Sequence, residues 1–168
     1  MSDTPKRVRV GRVPIDVLTF EQAVAAVLAL SDAGAGGFVV TPNVDHVVIA
    51  DEDPAFAAAY QAASLSLADG FPVVLTSRLM PTRLPAKISG SDLVGPLVAA
   101  CAERDKRVYL LGAGPGVAEL AAAKLRARHP TLRIVGTDAP MVDLSKPPST
   151  RAPIVEKLRA ASPDIVLV

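Results

Sequence analysis

The sequence predicts an α/β fold: a largely parallel sheet with flanking helices, preceded by a short N-terminal β-hairpin. Three observations carry that expectation. Short β-branched runs alternate along the chain with stretches of helical apolar spacing. Half of the 168 residues are hydrophobic and 21% are charged, a balance that buries enough apolar surface to offset the entropy of ordering. The length suits one compact domain and falls short of two ordinary ones, so residues 1–168 are read as a single α/β domain.

The elements follow in order. RVRV (7–10) and PIDVLT (14–19) surround Gly11 and predict the hairpin. Thr19 followed by Gln22 is a capping-box pattern ahead of the helical run 20–34, with Gly34 and Gly36 to stop it. GFVVT (37–41) reads as a buried strand. Asn43 caps the helical stretch VDHVVIADED, and Asp53-Pro54 starts another, AFAAAYQAA, because proline is preorganised for the first helical position. SLSLA (64–68) is the next strand and ends in Asp69-Gly70. FPVVLTSRLM is helical, PTRLPAKIS a loop, and 89–91 the cap region of DLVGPLVAACAERD. RVYLLG (107–112) is a strand, GAGPG a turn, VAELAAAKLRARH a helix, LRIVG (132–136) a strand, SKPPST (145–150) a loop, APIVEKLRAAS a helix and DIVLV (164–168) a last strand. This alternation is Rossmann-like.

DIVLV is a buried-type parallel strand with no loop or helix after it, although parallel sheets are normally covered on both faces. The expectation is therefore a fragment of a longer chain, with self-association into a homo-oligomer through the uncovered sheet.

Composition narrows the function. With 18 basic and 17 acidic side chains the net charge is +1, so there is no basic field of the kind that recruits nucleic acid. Cys101 is the single cysteine, which excludes an internal disulfide framework and a cysteine-built zinc site and fits a reducing compartment. The opening MSDTPKRVRVGRV has no apolar stretch of the signal-peptide kind, which points to the cytoplasm. No run approaches the about 20 apolar residues of a spanning helix, so any membrane contact is peripheral.

Polar groups stand at the C-terminal ends of successive apolar strands: Thr41 and Asn43 after FVV, and Asp69 after SLSLA. On parallel neighbours they converge on the rim of the sheet where open α/β folds bind substrates. Pattern alone leaves a second reading open, in which Asn43 is only a helix cap and Asp69-Gly70 only a turn. LLGAGPG (110–116), with Asp138 beyond the next strand, invites a dinucleotide reading. A G-x-G-x-x-G fingerprint would need its third glycine at position 117, where Val117 stands. Gly112, Gly114 and Gly116 then serve either as amide donors to a diphosphate or only as residues of a tight turn. Asp51-Glu52-Asp53 contains a D-x-D that could hold a metal on a nucleotide, but a cap followed by a first-turn proline explains it. His46 reads as a structural histidine, His129 as a surface residue at a helix end, and Asp92 as support for the start of its helix.

The run from Thr41 through Val94, together with RVYLLGAGPGVAELAAAKLRARHPTLRIVGTDAP and SPDIVLV, closely resembles the WecG/TagA/CpsF family of bacterial glycosyltransferases. The resemblance extends from about Gly11 to Val168. It implies inverting transfer of a sugar, N-acetylmannosamine or a related hexose, from a UDP-sugar to a lipid-diphosphate-linked acceptor such as N-acetylglucosaminyl-diphospho-undecaprenol. It also implies service to surface polysaccharide synthesis, attachment to the inner face of the cell membrane, and independence of any metal or other cofactor.

The family's T-x-N motif falls on Thr41 and Asn43 and its Asp-Gly on Asp69-Gly70. Asp69 is thereby the expected general base, with Thr41 and Asn43 on the sugar or holding the base. Where the family usually carries arginine, this chain has Lys87 in AKISGSDL, a point charge in place of a bidentate fork. Lys87, Asp92 and the three glycines complete the expected substrate-binding set. The family continues past the last strand into a loop with a P-x-Q-E segment and a membrane-attaching appendage, both outside this sequence. Two alternatives stand beside this expectation: an NAD-type oxidoreductase using LLGAGPG, and a non-catalytic fragment that binds a nucleotide sugar.

Overall fold

A computed structural model describes residues 5–143 and 145–168. The chain divides into two compact units, one up to Pro96 and one from Leu97 to Val168.

The first unit opens with strands β1 (Arg7–Val10) and β2 (Val13–Asp16), an antiparallel hairpin pairing Val8 with Ile15 and Val10 with Val13. Gly11 turns it at a φ of +60°, in the left-handed region that a side chain disfavours. Val8 and Val10 are buried while Arg9 between them is exposed, the period-two alternation of a strand with one wet face. Helix α1 (Phe20–Ala33) starts on the expected capping box: the Gln22 N–H donates to Thr19 Oγ1 and the Thr19 N–H to Gln22 Oε1. It ends at Gly34, φ +66°.

Strands β3 (Val39–Val40) and β4 (Leu65–Ser66) pair in parallel, joined through helices α2 (Val44–Glu52) and α3 (Pro54–Ala62). Helix α4 (Phe71–Ser77) follows, and α5 (Gly90–Glu103) runs across the boundary between the units. The unit's core gathers Val8, Val13 and Ile15 of the hairpin with Tyr60, Val73 and Leu84, all buried.

In the second unit β5 (Arg107–Leu111) lies between β6 (Arg133–Asp138) and β7 (Ile165–Leu167), parallel to both. Helices α6 (Val117–Arg128) and α7 (Ala152–Ala161) connect them, the latter preceded by a 3-10 turn at Pro148–Arg151 inside the expected loop region. The β5–β6 register shifts where Tyr109 meets Gly136. A Cβ on Gly136 would collide with the buried Tyr109 ring, so only glycine fits that position.

Parallel pairing is thus present, but the described strands form three separate small sheets: the hairpin, β3–β4, and β6–β5–β7. The expected strands 37–41 and 64–68 shrink to two ladder residues each. Pro42 gives a physical reason at the exit of β3, because it has no N–H with which to return a ladder bond.

Candidate active site

Hydrogen bonding between the strand exits runs further than the ladder. The Leu67 N–H donates to the Val40 carbonyl at 2.8 Å and the Asp69 N–H to the Pro42 carbonyl at 2.9 Å. Asp69 is therefore held beside the Thr41-Pro42-Asn43 segment by its own backbone. Asp69, Thr41 and Asn43 are all partly buried, at the C-terminal edge of the β3–β4 pair. Gly70 completes the Asp-Gly turn at φ +89°, a conformation that strains any other residue, and starts α4.

A third segment joins this edge. The Ile88 N–H donates to the Ala68 carbonyl at 2.7 Å, which lays residues 87–90 beside the exit of β4. Gly90, the first residue of α5, packs against Thr41: a Cβ built on it would meet Thr41 Oγ1 at 3.5 Å. Lys87 Nζ lies 2.8 Å from Asp92 Oδ2, with both side chains about half exposed. The Asp92 N–H donates to the buried Ser89 hydroxyl at 3.3 Å, which caps the first turn of α5. The Lys87 ammonium and the Ser89 hydroxyl hold the Asp92 carboxyl below its ordinary range. In return Asp92 pushes the Lys87 ammonium up, and the Asp69 charge adds to the effect.

Asn43 is engaged twice over. Its Oδ1 accepts the His46 N–H at 3.1 Å while its own N–H donates to His46 Nδ1 at 3.2 Å, a capping box with histidine in the third position. With Oδ1 committed to the cap, the Nδ2 amide is what Asn43 offers a ligand. The His46 ring also lies near Phe56 and Tyr60, tilted against them at centroid separations of 5.9 and 5.8 Å.

Sequence reasoning missed the group that anchors this edge from below. Asp16, 2% exposed, takes Arg7 Nε on Oδ1 at 2.7 Å, and the Ser66 N–H and Arg7 Nη2 on Oδ2 at 2.8 and 3.3 Å. Arg7 Nη2 also donates to the Ala63 and Ser64 carbonyls. One buried carboxylate thereby ties the hairpin to β4, three residues before Asp69. The available signal was a lone acid in the apolar run PIDVLT.

The first unit brings Thr41, Asn43, Asp69, Lys87 and Asp92 to one place. The glycine turn belongs to the second unit and is described with it. Gly112 (φ +114°), Ala113 (φ +63°) and Gly116 (φ +79°) wind it in the left-handed region, and the Gly112 N–H donates to the Asp138 carbonyl at 2.8 Å. Glycine torsions account for Gly112 and Gly116, whereas Gly114 has ordinary φ. Asp138 pairs with Lys157 Nζ at 2.8 Å.

The D-x-D is occupied by structure. Asp53 Oδ1 caps α3 through the Ala55 and Phe56 N–H groups at 2.8 and 3.2 Å, and Asp51 faces Arg12 at 3.5 Å. Among the described residues no group of three His, Cys, Asp or Glu side chains is arranged to hold a metal ion.

This arrangement can do three things chemically. A carboxylate at a strand exit can accept a proton, a neighbouring ammonium can neutralise an anionic leaving group, and an amide and a hydroxyl can orient a polyol between them.

Comparison with known proteins identifies the family. The family model described as "Glycosyl transferase WecG/TagA/CpsF family" matches residues 8–168. A protein of Bacillus spizizenii named N-acetylglucosaminyldiphosphoundecaprenol N-acetyl-beta-D-mannosaminyltransferase is 29% identical over 138 residues, covering 82% of this chain and 51% of the relative. Its namesake in Bacillus subtilis is 28% identical over the same shares. The chain spans about half the length of the curated relatives it matches.

Proposed function

The chain belongs to the WecG/TagA/CpsF family of glycosyl transferases, and we propose that it carries the base and part of the substrate site of an inverting sugar transferase. The donor is a UDP-sugar, of N-acetylmannosamine or a related hexose. The acceptor is a lipid-diphosphate-linked sugar of the kind in the relatives' names, N-acetylglucosaminyl-diphospho-undecaprenol. The product feeds surface polysaccharide. The observation that carries this reading is the meeting of Asp69 with Thr41, Asn43 and Lys87 at one sheet edge, through the Asp69–Pro42 and Ile88–Ala68 backbone bonds.

In the step proposed, the Asp69 carboxylate takes the proton of the acceptor hydroxyl as that oxygen forms a bond to the anomeric carbon. The bond from that carbon to the diphosphate oxygen breaks on the opposite face, and UDP leaves with the electron pair. One base suffices, because the incoming oxygen enters opposite the departing one and the configuration inverts. Lys87, oriented by Asp92, meets the charge that grows on the diphosphate as a point charge. Thr41 Oγ1 and the Asn43 amide hold sugar hydroxyls or the base. Taken by itself, the glycine turn of the second unit is proposed as a set of amide donors to a diphosphate. The fold serving this chemistry is read as Rossmann-like, with the whole chain acting as one catalytic domain.

No helix among the described residues is long and apolar enough to cross a membrane. In keeping with the lipid named in the relatives' acceptor, we propose that it is met at the membrane surface, on the cytoplasmic side where nucleotide sugars are made. The test is a screen of UDP-sugars against a lipid-linked N-acetylglucosamine, using the complete gene product. A new glycoside with inverted anomeric configuration is expected from one of the donors. Retention of configuration, or no transfer from any UDP-sugar, overturns the proposal.

A further inference from the structure

Helix α4 begins directly after Asp69-Gly70 and is amphipathic in an unusual sense. Its inner face is conventional: Val73, Val74 and Ser77 are buried. Its outer face is also apolar. Phe71 is 61% exposed, Leu75 45% and Leu79 91%. These three recur at four-residue spacing, and the helical turn continues past the end of α4 through the Arg78, Leu79 and Met80 N–H bonds to the Leu75, Thr76 and Ser77 carbonyls. A soluble helix normally turns charged residues outward at such positions.

Past Asp69, the charges along this stripe and the segment after it have one sign. Residues 71–87 contain Arg78, Arg83 and Lys87 and neither Asp nor Glu, in a chain whose net charge is only +1. Arg78 and Arg83 are exposed, whereas Lys87 is engaged with Asp92. Exposed Leu and Phe flanked by arginines, without acids, is the pattern of an element that lies in a bilayer interface and pairs its cations with anionic headgroups.

We propose that the outer face of α4 and the turn to Leu79 dock on an anionic lipid bilayer, with Leu79 entering the acyl boundary and Arg78 and Arg83 among the phosphates. The proposal rests on the lipid-linked acceptor argued above and adds the surface that meets the lipid. Its continuity with the candidate site is direct, because Phe71 is two residues from Asp69. Docking there brings the base to the plane in which a polyprenyl-anchored diphosphate sugar is held.

The test is co-sedimentation of the 168-residue chain with vesicles of equal parts phosphatidylglycerol and phosphatidylcholine, beside vesicles of phosphatidylcholine alone. Binding is expected to the anionic vesicles and to fall with salt. Leu79→Glu is expected to weaken it by about tenfold or more, since a buried leucine side chain is lost and a like charge is added. Arg83→Glu, away from the apolar stripe, is expected to weaken only the salt-sensitive part. Both positions are exposed, so unchanged melting temperatures accompany both results.

Equal binding to the two vesicle types, or wild-type binding by Leu79→Glu, overturns the proposal. So does dissociation of a dimer by Leu79→Glu in sedimentation equilibrium, which would assign the stripe to a second copy of the chain. Transfer by the complete protein to a short-chain, water-soluble acceptor is scored separately. Leu79→Glu leaves it unchanged, so a wild-type protein inactive on that acceptor counts against the Asp69 chemistry and not against the lipid surface.

Discussion

Lys87 Nζ and Asp92 Oδ2 stand 2.8 Å apart across the entry to α5, so a cation that also feels the charge of the candidate base is held by a carboxylate of its own. Asp69 adds to the field on the same ammonium. The lysine thus answers to two acids, one that it pairs with and one that is proposed to act as the base.

This relation predicts that Lys87→Met lowers kcat/KM for the sugar donor by about ten- to a hundredfold, because the charge proposed to meet the departing diphosphate is removed. Asp92→Asn is expected to do less and to act mainly on KM, since the lysine keeps its charge and loses its orientation. The pH sense follows from the two shifts. Asp92 is lowered from 3.8, so its share of the pair is present above that pH and is lost as pH falls through the lowered value. Lys87 is raised from 10.5, so its share is present below that pH and is lost as pH rises through the raised value. Between those limits this pair gives donor KM no pH dependence, which steady-state kinetics at several pH values checks.

The Arg7–Asp16 pair predicts a loss of stability at a distance from the chemistry. Asp16→Ala strips the Ser66 N–H and the Arg7 guanidinium of their shared acceptor. Breaking a fully buried pair costs about 3–5 kcal/mol, and the 30% exposure of Arg7 reduces that to about 2–3 kcal/mol here. Urea unfolding reads the difference. Folded Asp16→Ala protein is expected to retain its transfer rate.

Asn43 and Asp53 make a matched comparison, because both cap helices and only one lies at the candidate site. Each alanine variant is expected to lose about 1 kcal/mol of stability. Asp53→Ala leaves transfer, with or without a chelator, at the wild-type rate. Asn43→Ala loses transfer beyond what its stability explains, as melting curves run beside the assay will show.

Cys101 is fully buried, and burial pushes its thiol up to about 11. It is expected to ignore a thiol reagent near neutral pH in the folded protein and to react once urea exposes it, as labelling followed by mass spectrometry can show.

Features decided within a few residues were legible from sequence. The Thr19–Gln22 box, the Asn43 and Asp53 caps and the Gly34 stop depend on contacts no more than about four positions away, and they stand where the sequence placed them. Features decided across the chain were not. Asp16 meets Ser66 only because the hairpin folds against β4, a contact fifty positions apart with no local signature. The split into three sheets depends on which strands actually pair, and Pro42 removes a donor where an apolar run suggests continuity. The gathering of Thr41, Asn43 and Asp69 was one of two readings that the strand-end pattern allowed, and the Asp69–Pro42 bond is the kind of fact that only coordinates supply. The Lys87–Asp92 pair lay within a short segment, yet α5 had to start at Gly90 for the two to meet.

The most direct measurement is the transfer rate of Asp69→Asn in the complete protein, with its melting temperature alongside. Asparagine keeps the shape and polarity of the side chain and cannot accept the acceptor's proton. The account predicts a fall of about a hundredfold to ten-thousandfold at unchanged melting temperature. Transfer by a folded Asp69→Asn protein at the wild-type rate would contradict it.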